Sequence, residues 1–250
     1  MVRIFSDKAE LAHAAAEHAA HSLRDLLEKQ EVVRLLATTG ASQIEFLNTF
    51  TAAHGIHWPR VELFHLDEYV GIGADHPASF ARYIKERIID STGIERFHLL
   101  DGTRNPQDMA AEMSREISAA PIDLAFVGIG ENGHLAFNDP PADFDADAAY
   151  LVVNLDEACR RQQVGEGWFA SIDDVPKRAI TISIPQLLKA REILCVVPDA
   201  RKAQAVKTCL NGPISPNAPA SVLRVHPNTT IFLDRDSAAL LSNPNDPLSL

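Results

Sequence analysis

The stretch VVRLLATTGAS, residues 32–42, has the pattern that predicts the fold class. Its first six residues form a largely apolar run without alternation, which is typical of a parallel strand buried on both faces of a sheet. A turn-rich segment follows at once, and apolar residues then recur at helical spacing from Ser42 onwards. The stretch therefore predicts a strand, a turn and a helix, the repeating unit of a parallel α/β sheet.

The same pattern recurs along the chain. Strand patterns occur at VELFHL (61–66), IDLAFVGI (122–129), AITISI (179–184) and EILCVV (192–197). Helical patterns occupy 7–29, 42–54, 77–90, 106–119 and 200–210, with Ser6 as the first cap and Pro77 and Pro106 in first turns. Alternating strands and helices without a composition break predict an α/β fold in a single domain, with a doubly wound, mostly parallel sheet flanked by helices.

Two segments depart from this pattern. Residues 138–176 are too long and irregular for a plain connection, and such segments in compact domains are usually lids or active-site loops. The last residues, 242–250, are predicted to fray.

The composition excludes several classes of protein. With 46% hydrophobic and 23% charged residues, the 250-residue chain has the balance of a globular protein and not of a disordered one. No apolar run approaches the roughly 20 residues of a spanning helix, so no membrane association is expected. A net charge of −11 leaves no broad basic face, so nucleic acid is not an expected partner.

The N-terminal sequence and the cysteines indicate the cellular compartment. The N-terminal sequence MVRIFSDKAE has no apolar signal core, which predicts a cytoplasmic protein. Cys159, Cys195 and Cys209 are odd in number and lack CxxC spacing, so we interpret them as reduced thiols.

Ligands of open α/β sheets bind beyond the carboxyl ends of the strands, so the residues that follow each strand are the site candidates. The first junction is Thr38–Ser42, where small side chains, hydroxyls and N–H groups at a helix start form a cradle for an anion. No Gly-Lys-Ser/Thr follows, so a nucleoside triphosphate is not expected. An ordinary capped helix start is the alternative interpretation.

The second junction is Asp67-Glu68, directly after VELFHL. Two adjacent carboxylates at the carboxyl end of a strand can supply a general base. Spacing alone favours a solvated acidic turn over a general base.

The third junction is Gly128–His134, which follows IDLAFV and matches GxGxxG. A dinucleotide fingerprint must open a helix, but Pro140 and Pro141 arrive within about two turns, so NAD is not expected. What remains is a glycine-rich turn with His134 and Asp139 just beyond it. A histidine beside a carboxylate can act as an acid–base couple near neutral pH, although a structural histidine fits the same spacing.

The sequence favours neither a metal site nor a serine nucleophile. His54 and His57 flank Gly55 in a loop pattern, and no HExxH or clustered Cys/His set occurs. A GxSxG elbow is also absent.

Three motifs together resemble glucosamine-6-phosphate deaminases. They are LDEYVG (66–71) with HPASF (76–80), GIGENGHLAFN (128–138), and the later DARKA (199–203). The similarity extends over roughly residues 5–240 and includes the Thr39–Ser42 loop. It implies a modified Rossmann-like fold shared with 6-phosphogluconolactonases and ribose-5-phosphate isomerases.

The resemblance also implies a reaction. Glucosamine 6-phosphate and water would give fructose 6-phosphate and ammonia, in amino-sugar catabolism, with neither metal nor organic cofactor. By position, Asp67 would move a proton between C2 and C1, and His134 would open the sugar ring with Asn132 and Asp139 orienting it. The phosphate would be bound by Lys202 and by the loop residues Thr39, Gly40, Ala41 and Ser42.

Three departures from the family pattern are visible. Residue 132 is Asn where some members have Asp, and residue 139 is Asp where Glu is usual. Common deaminases have a phosphate-binding arginine near a Phe-Phe pair, whereas this chain has Gly165–Gly167 there. Arg160, Arg161 and Arg201 remain open as replacements, and the preferred amino sugar remains open with them.

Two other functions fit the same resemblance. The first is a 6-phosphogluconolactonase, although the Phe137-Asn138 pair favours the deaminases. The second is a catalytically silent sugar-phosphate sensor, against which the presence of both Asp67 and His134 counts. The phosphosugar is the expected partner in each case, and a homo-oligomer remains open.

Overall fold

Ten strands lie in two sheets in a computed structural model that describes residues 1–242. They are β1 (Val2–Phe5), β2 (Val33–Ala37), β3 (Val61–His65), β4 (Asp67–Tyr69), β5 (Arg96–His98), β6 (Leu124–Val127), β7 (Tyr150–Asn154), β8 (Arg178–Ile182), β9 (Glu192–Val197) and β10 (Thr229–Asp234). Seven form a wholly parallel sheet in the order β1-β10-β9-β6-β2-β3-β5. The other three form a small antiparallel sheet in the order β4-β8-β7.

The helices alternate with these strands. They are α1 (Lys8–Lys29), α2 (Ile44–Thr51), α3 (Phe80–Ile84), α4 (Asp90–Thr92), α5 (Pro106–Ser118), α6 (Glu157–Gly165), α7 (Ile184–Leu187) and α8 (Ala203–Asn211). A π-helical turn at Lys85–Ile89 joins α3 to α4. Among residues 1–242, no helix has the length and apolar character needed to cross a membrane.

Side-chain alternation along the central strands divides the core into two layers. Leu35 packs with α1 and α2 on one face of the parallel sheet, and its neighbour Leu36 packs with α5 and α8 on the other. All five residues of β2 are buried, which explains why its sequence shows no alternation. The predicted α/β architecture with a mostly parallel sheet flanked by helices is confirmed.

The sheet order creates one crevice at its centre. From β2 the chain continues outwards to β3 and β5, then returns to β6 on the other side of β2 and continues outwards to β9 and β10. The loops after β2 and β6 therefore diverge, and a cleft opens between them at the carboxyl ends of the strands. This switch point brings Thr38–Ser42 and Gly128–His134 together.

The strand predicted at 179–184 is present, but the prediction that it belongs to the parallel sheet is wrong. β8 is the central strand of the antiparallel sheet, paired with β4 and β7, and does not belong to the parallel sheet. Its apolar run reflects burial, which says nothing about strand direction. β1, β5 and β10 were not predicted, although β10 is buried throughout.

Several boundaries also differ from prediction. Asp7, not Ser6, caps α1, because its carboxylate accepts from Glu10 N at 2.9 Å. Pro77 lies outside a helix, since α3 begins after its cap Ser79, whereas Pro106 is the first residue of α5 as predicted.

The segment 138–176 is more regular than its sequence suggests, because it contains β7 and α6. Its predicted role as a lid or active-site loop stays a prediction. The predicted frayed tail falls mostly on 243–250, outside the described residues.

Candidate active site

The crevice holds a cavity of about 600 Å³, open mouth included. Polar and charged groups from five places in the chain face it. They are Thr38, Thr39, Ser42 and Gln43 after β2, Asp67 in β4, His134 after β6, Gln162, Gln163 and Glu166 in and after α6, and Lys202 before α8. We call the part around Asp67 and His134 the reacting end, and the part around Thr39–Ser42 and Lys202 the anion end.

Asp67 and Glu68 are both buried, with 5% and 1% of their surface exposed, so the pair is not a solvated acidic turn. Burial, with the neighbouring charge of Glu68, raises the pKa of Asp67 well above its ordinary value. The Asp67 carboxylate lines the cavity and accepts no hydrogen bond from residues 1–242. These properties suit a carboxylate that takes a proton from a ligand.

Glu68 points away from the cavity and anchors the backbone at the start of α3. It accepts hydrogen bonds from Ser79 Oγ at 2.8 Å and from the N–H groups of Tyr69, Phe80 and Ala81 at 2.9, 3.2 and 2.7 Å. Burial nevertheless raises the pKa of Glu68 to about 7. The two carboxylates therefore differ in kind: Asp67 faces the cavity, and Glu68 secures the start of α3.

His134 lies over a glycine in a tight loop. A Cβ on Gly130 would lie 2.2 Å from both Cε1 and Nε2 of the imidazole, so only glycine leaves room for the ring. The backbone around it is fixed by Gly130 N to His134 O at 3.0 Å and by His134 N to Asn132 Oδ1 at 3.0 Å.

Asp139 joins three groups of the site. Its Oδ1 lies 3.2 Å from His134 Nδ1, outside the alignment of a well-formed hydrogen bond, and accepts from Asn132 Nδ2 at 3.1 Å. Its Oδ2 accepts from Asp156 N at 2.9 Å. Burial opposes ionisation, but His134, Asp156 N and Asn132 together hold the pKa of Asp139 below its ordinary value. The structure thus brings the three predicted residues Asn132, His134 and Asp139 into contact.

The anion end combines a cation with small polar groups. Lys202 is 3% exposed, and burial lowers the pKa of its ammonium. The ammonium makes neither an ion pair nor a hydrogen bond with another residue of 1–242. Ser42 Oγ is likewise buried without a partner in that part of the chain. The predicted loop and Lys202 therefore meet at one cavity with unused hydrogen-bonding capacity.

None of the three arginines left open as phosphate ligands lines this cavity. Arg160 donates to the carbonyls of Ile172 and Val175. Arg161 pairs with Glu157 on the surface, and Arg201 lies 3.4 Å from Glu131.

Sequence reasoning missed the residues that α6 brings to the site. Gln162 and Glu166 lie four residues apart, and Gln162 Nε2 donates to Glu166 Oε1 at 2.7 Å. A spacing of four residues within a helical pattern predicts that the two side chains lie on one face of the helix. Only tertiary packing turns this face to the cavity.

One group of potential metal ligands lies beside the reacting end. Among residues 1–242, His134, Asp139 and Cys159 bring one ligand atom each within 4.8 Å of one another. Burial, reinforced by Asp139 and Asp156, raises the pKa of the Cys159 thiol well above its ordinary value. A thiol is a metal ligand in its deprotonated form, so these surroundings do not favour binding.

Comparison with known proteins places the chain in one family. The sequence profile of the family described as glucosamine-6-phosphate isomerases/6-phosphogluconolactonase matches residues 6–232. A glucosamine-6-phosphate deaminase of Rhodopirellula baltica is 36% identical over 91% of this chain and 92% of its own length. A deaminase of the same name from Clostridium acetobutylicum is 32% identical over 94% and 98%.

Solved structures of other proteins share the fold of this chain. A monomeric glucosamine-6-phosphate deaminase superimposes with a TM-score of 0.87 at 29% identity, over 96% of this chain and 99% of its own. A 6-phosphogluconolactonase of Thermotoga maritima superimposes with a TM-score of 0.78 at 18% identity, over 94% and 99%, which shows a common fold alone. With the family profile covering most of its length, the chain belongs to the glucosamine-6-phosphate isomerase/6-phosphogluconolactonase family.

Proposed function

We propose that this enzyme converts glucosamine 6-phosphate and water to fructose 6-phosphate and ammonia. The main support is that one cavity has two distinct ends. Asp67 and His134 line the reacting end, and Lys202 and the Thr39–Ser42 loop line the anion end. The deaminases among its relatives match nearly the whole chain.

The anion end would bind the phosphate. Lys202 supplies a positive charge, Ser42 Oγ has an unused donor, and the N–H groups that begin the turn before α2 have no partners within the helix. These groups suit three phosphate oxygens. They fix the sugar so that C1 and C2 lie at the reacting end.

His134 would open the ring. The proton of the C1 hydroxyl is transferred to the ring oxygen through the imidazole while the C1–O5 bond breaks, which gives the open-chain aldehyde. Asp139, 3.2 Å from Nδ1, stabilises the imidazolium that exists between the two transfers. Asn132 holds Asp139 and takes no proton itself.

Asp67 would then carry the isomerisation. Its carboxylate takes the proton from C2 and returns it to C1, while one proton of the C2 ammonium group moves to O1. This leaves a hydroxyl at C1 and a protonated imine at C2. Water adds to C2, and ammonia leaves as the ketone forms. Because burial raises the pKa of Asp67, the ionised carboxylate is a stronger base than an exposed one. For the same reason kcat rises with pH as Asp67 loses its proton in the enzyme–substrate complex.

The test is ammonia release from glucosamine 6-phosphate, with hydrolysis of 6-phosphogluconolactone measured alongside. The proposal requires ammonia and fructose 6-phosphate in equal amounts. Lactone hydrolysis without ammonia contradicts it and assigns the chain to the other branch of its family. Absence of both reactions, with phosphosugar still bound, contradicts it in favour of a sensor.

A further inference from the structure

The charge of the cavity does not match a phosphate dianion. Of the side chains of residues 1–242 that line it, Lys202 is the one ammonium or guanidinium, and Asp67 and Glu166 are carboxylic acids. A phosphate monoester carries close to two negative charges at pH 7, since its second pKa is about 6. Glu166 would repel that form.

Glu166 lies close to the anion end. Its charge acts on the ammonium of Lys202 and on the phenol of Tyr83. The Tyr83 hydroxyl donates to Gly40 O at 3.0 Å, within the Thr39–Ser42 loop. Trp168 Nε1, which donates to Glu166 Oε2 at 3.1 Å, belongs to a ring that packs edge-on against Tyr83. These contacts hold Glu166 in the lining of the cavity that also contains Lys202 and the Thr39–Ser42 loop.

The carboxylate of Glu166 retains room to accept one more hydrogen bond. Gln162 Nε2 donates to Oε1 and Trp168 Nε1 to Oε2, one bond each. A carboxylate has about four acceptor positions, so lone pairs remain on both oxygens. The charge of Glu166 acts to raise the pKa of Lys202, Tyr83 and Tyr69, and among these only Lys202 is a cation.

We propose that Glu166 is a specificity residue that selects a singly protonated phosphate ester. The P–OH of the monoanion donates to the Glu166 carboxylate while its ionised oxygens bind Lys202 and the loop. No covalent bond changes and no proton leaves the phosphate. The hydrogen bond is of the short, charge-assisted O–H···O⁻ kind. This inference rests on the proposed function for the position of the phosphate.

Two consequences follow for binding. The titrating group that Glu166 contacts is the phosphate of the ligand, so affinity falls as pH rises above about 6, by roughly tenfold per unit. Asp67 and Lys202, whose pKa values burial also shifts, are common to wild-type and variant protein. A sulfate ester, which is fully ionised and has no proton to donate, is rejected. A structural role for Glu166 in holding Gln162 and Trp168 predicts neither effect.

The experiment measures the Kd of glucitol 6-phosphate and glucitol 6-sulfate, which cannot react, by calorimetry from pH 6 to 9. Wild-type protein should lose about tenfold in affinity per pH unit for the phosphate and bind no sulfate. Glu166→Gln, whose amide can donate, should have a pH slope shallower than that of wild type by about tenfold per unit and should also bind the sulfate.

Glu131→Gln is the matched control. Glu131 also acts on Lys202 but pairs with Arg201 outside the cavity lining, so this variant should keep the wild-type pH slope and the rejection of sulfate. A flat pH dependence in wild-type protein, or the same slope in Glu166→Gln, overturns the inference.

Failure of the proposed function has a different signature. If wild-type protein releases ammonia from glucosamine 6-phosphate but Glu166→Gln keeps the slope, only the inference about Glu166 fails. If wild-type protein neither releases ammonia nor binds glucitol 6-phosphate, the proposed function fails and the inference falls with it.

Discussion

The two ends of the cavity differ in how their polar groups are held. At the reacting end, Asp67 accepts no hydrogen bond from residues 1–242 and His134 Nδ1 lacks a well-formed one, but the residues beside them are paired: Glu68 accepts four hydrogen bonds and Asp139 contacts three groups. At the anion end, Ser42 Oγ and the Lys202 ammonium have no partner within residues 1–242. A paired network keeps its geometry without ligand, whereas unpaired groups gain their partners from one. We infer that the reacting end is built for chemistry and the anion end for recognition, and the expected outcomes below separate these roles.

The largest effect is expected for Asp67→Asn. The amide cannot accept the C2 proton, so kcat should fall by roughly 10³-fold, within the range of general-base catalysis. Because the change lies at the reacting end, the Kd of glucitol 6-phosphate should stay within about threefold of wild type. Equal loss of turnover and binding would contradict the separation of the two ends.

Gly130→Ala should also act at the reacting end. Its Cβ would occupy space 2.2 Å from the His134 ring, so the imidazole must move. A displacement of about 1 Å can lower the rate by on the order of 100-fold. Phosphosugar binding by calorimetry should be retained, and wild-type kcat in this variant would show that the ring position does not matter.

Asp139→Glu should have a smaller effect, because it keeps the charge and lengthens the side chain. Asp139 already reaches His134, Asn132 and Asp156, and 7% of its side-chain surface is exposed. We expect kcat to fall by about tenfold through misplacement of the imidazole. Full activity in steady-state assays would indicate that the loop tolerates either length.

The smallest effects are expected near the anion end, where α6 ends. Gly165 has no atom within 4 Å of a Cβ position, whereas Gly167 has φ +82°. Gly165→Ala should stabilise the protein by about 0.5 to 1 kcal/mol, and Gly167→Ala should destabilise it by about 1 to 2 kcal/mol. Urea unfolding measures both, and equal shifts in the two variants would contradict the assigned backbone conformations.

Much of the fold and part of the site follow from the sequence alone. The apolar runs of β2, β3, β6 and β9 predicted a parallel sheet, since such runs are required where a strand is covered on both faces. The rule that ligands bind beyond the carboxyl ends of strands then selected Thr38–Ser42, Asp67 and Gly128–His134. The motifs within these junctions predicted the family, which the comparisons confirm.

Tertiary structure decided the rest. The apolar run of β8 could not reveal its antiparallel pairing, because burial carries no strand direction. Gln162 and Glu166 could not be assigned to the site, because which face of α6 meets the cavity depends on how β7, β8 and α6 pack. The unusual pKa of Asp67 has the same origin: the sequence supplies two adjacent carboxyls, and only the fold removes them from water.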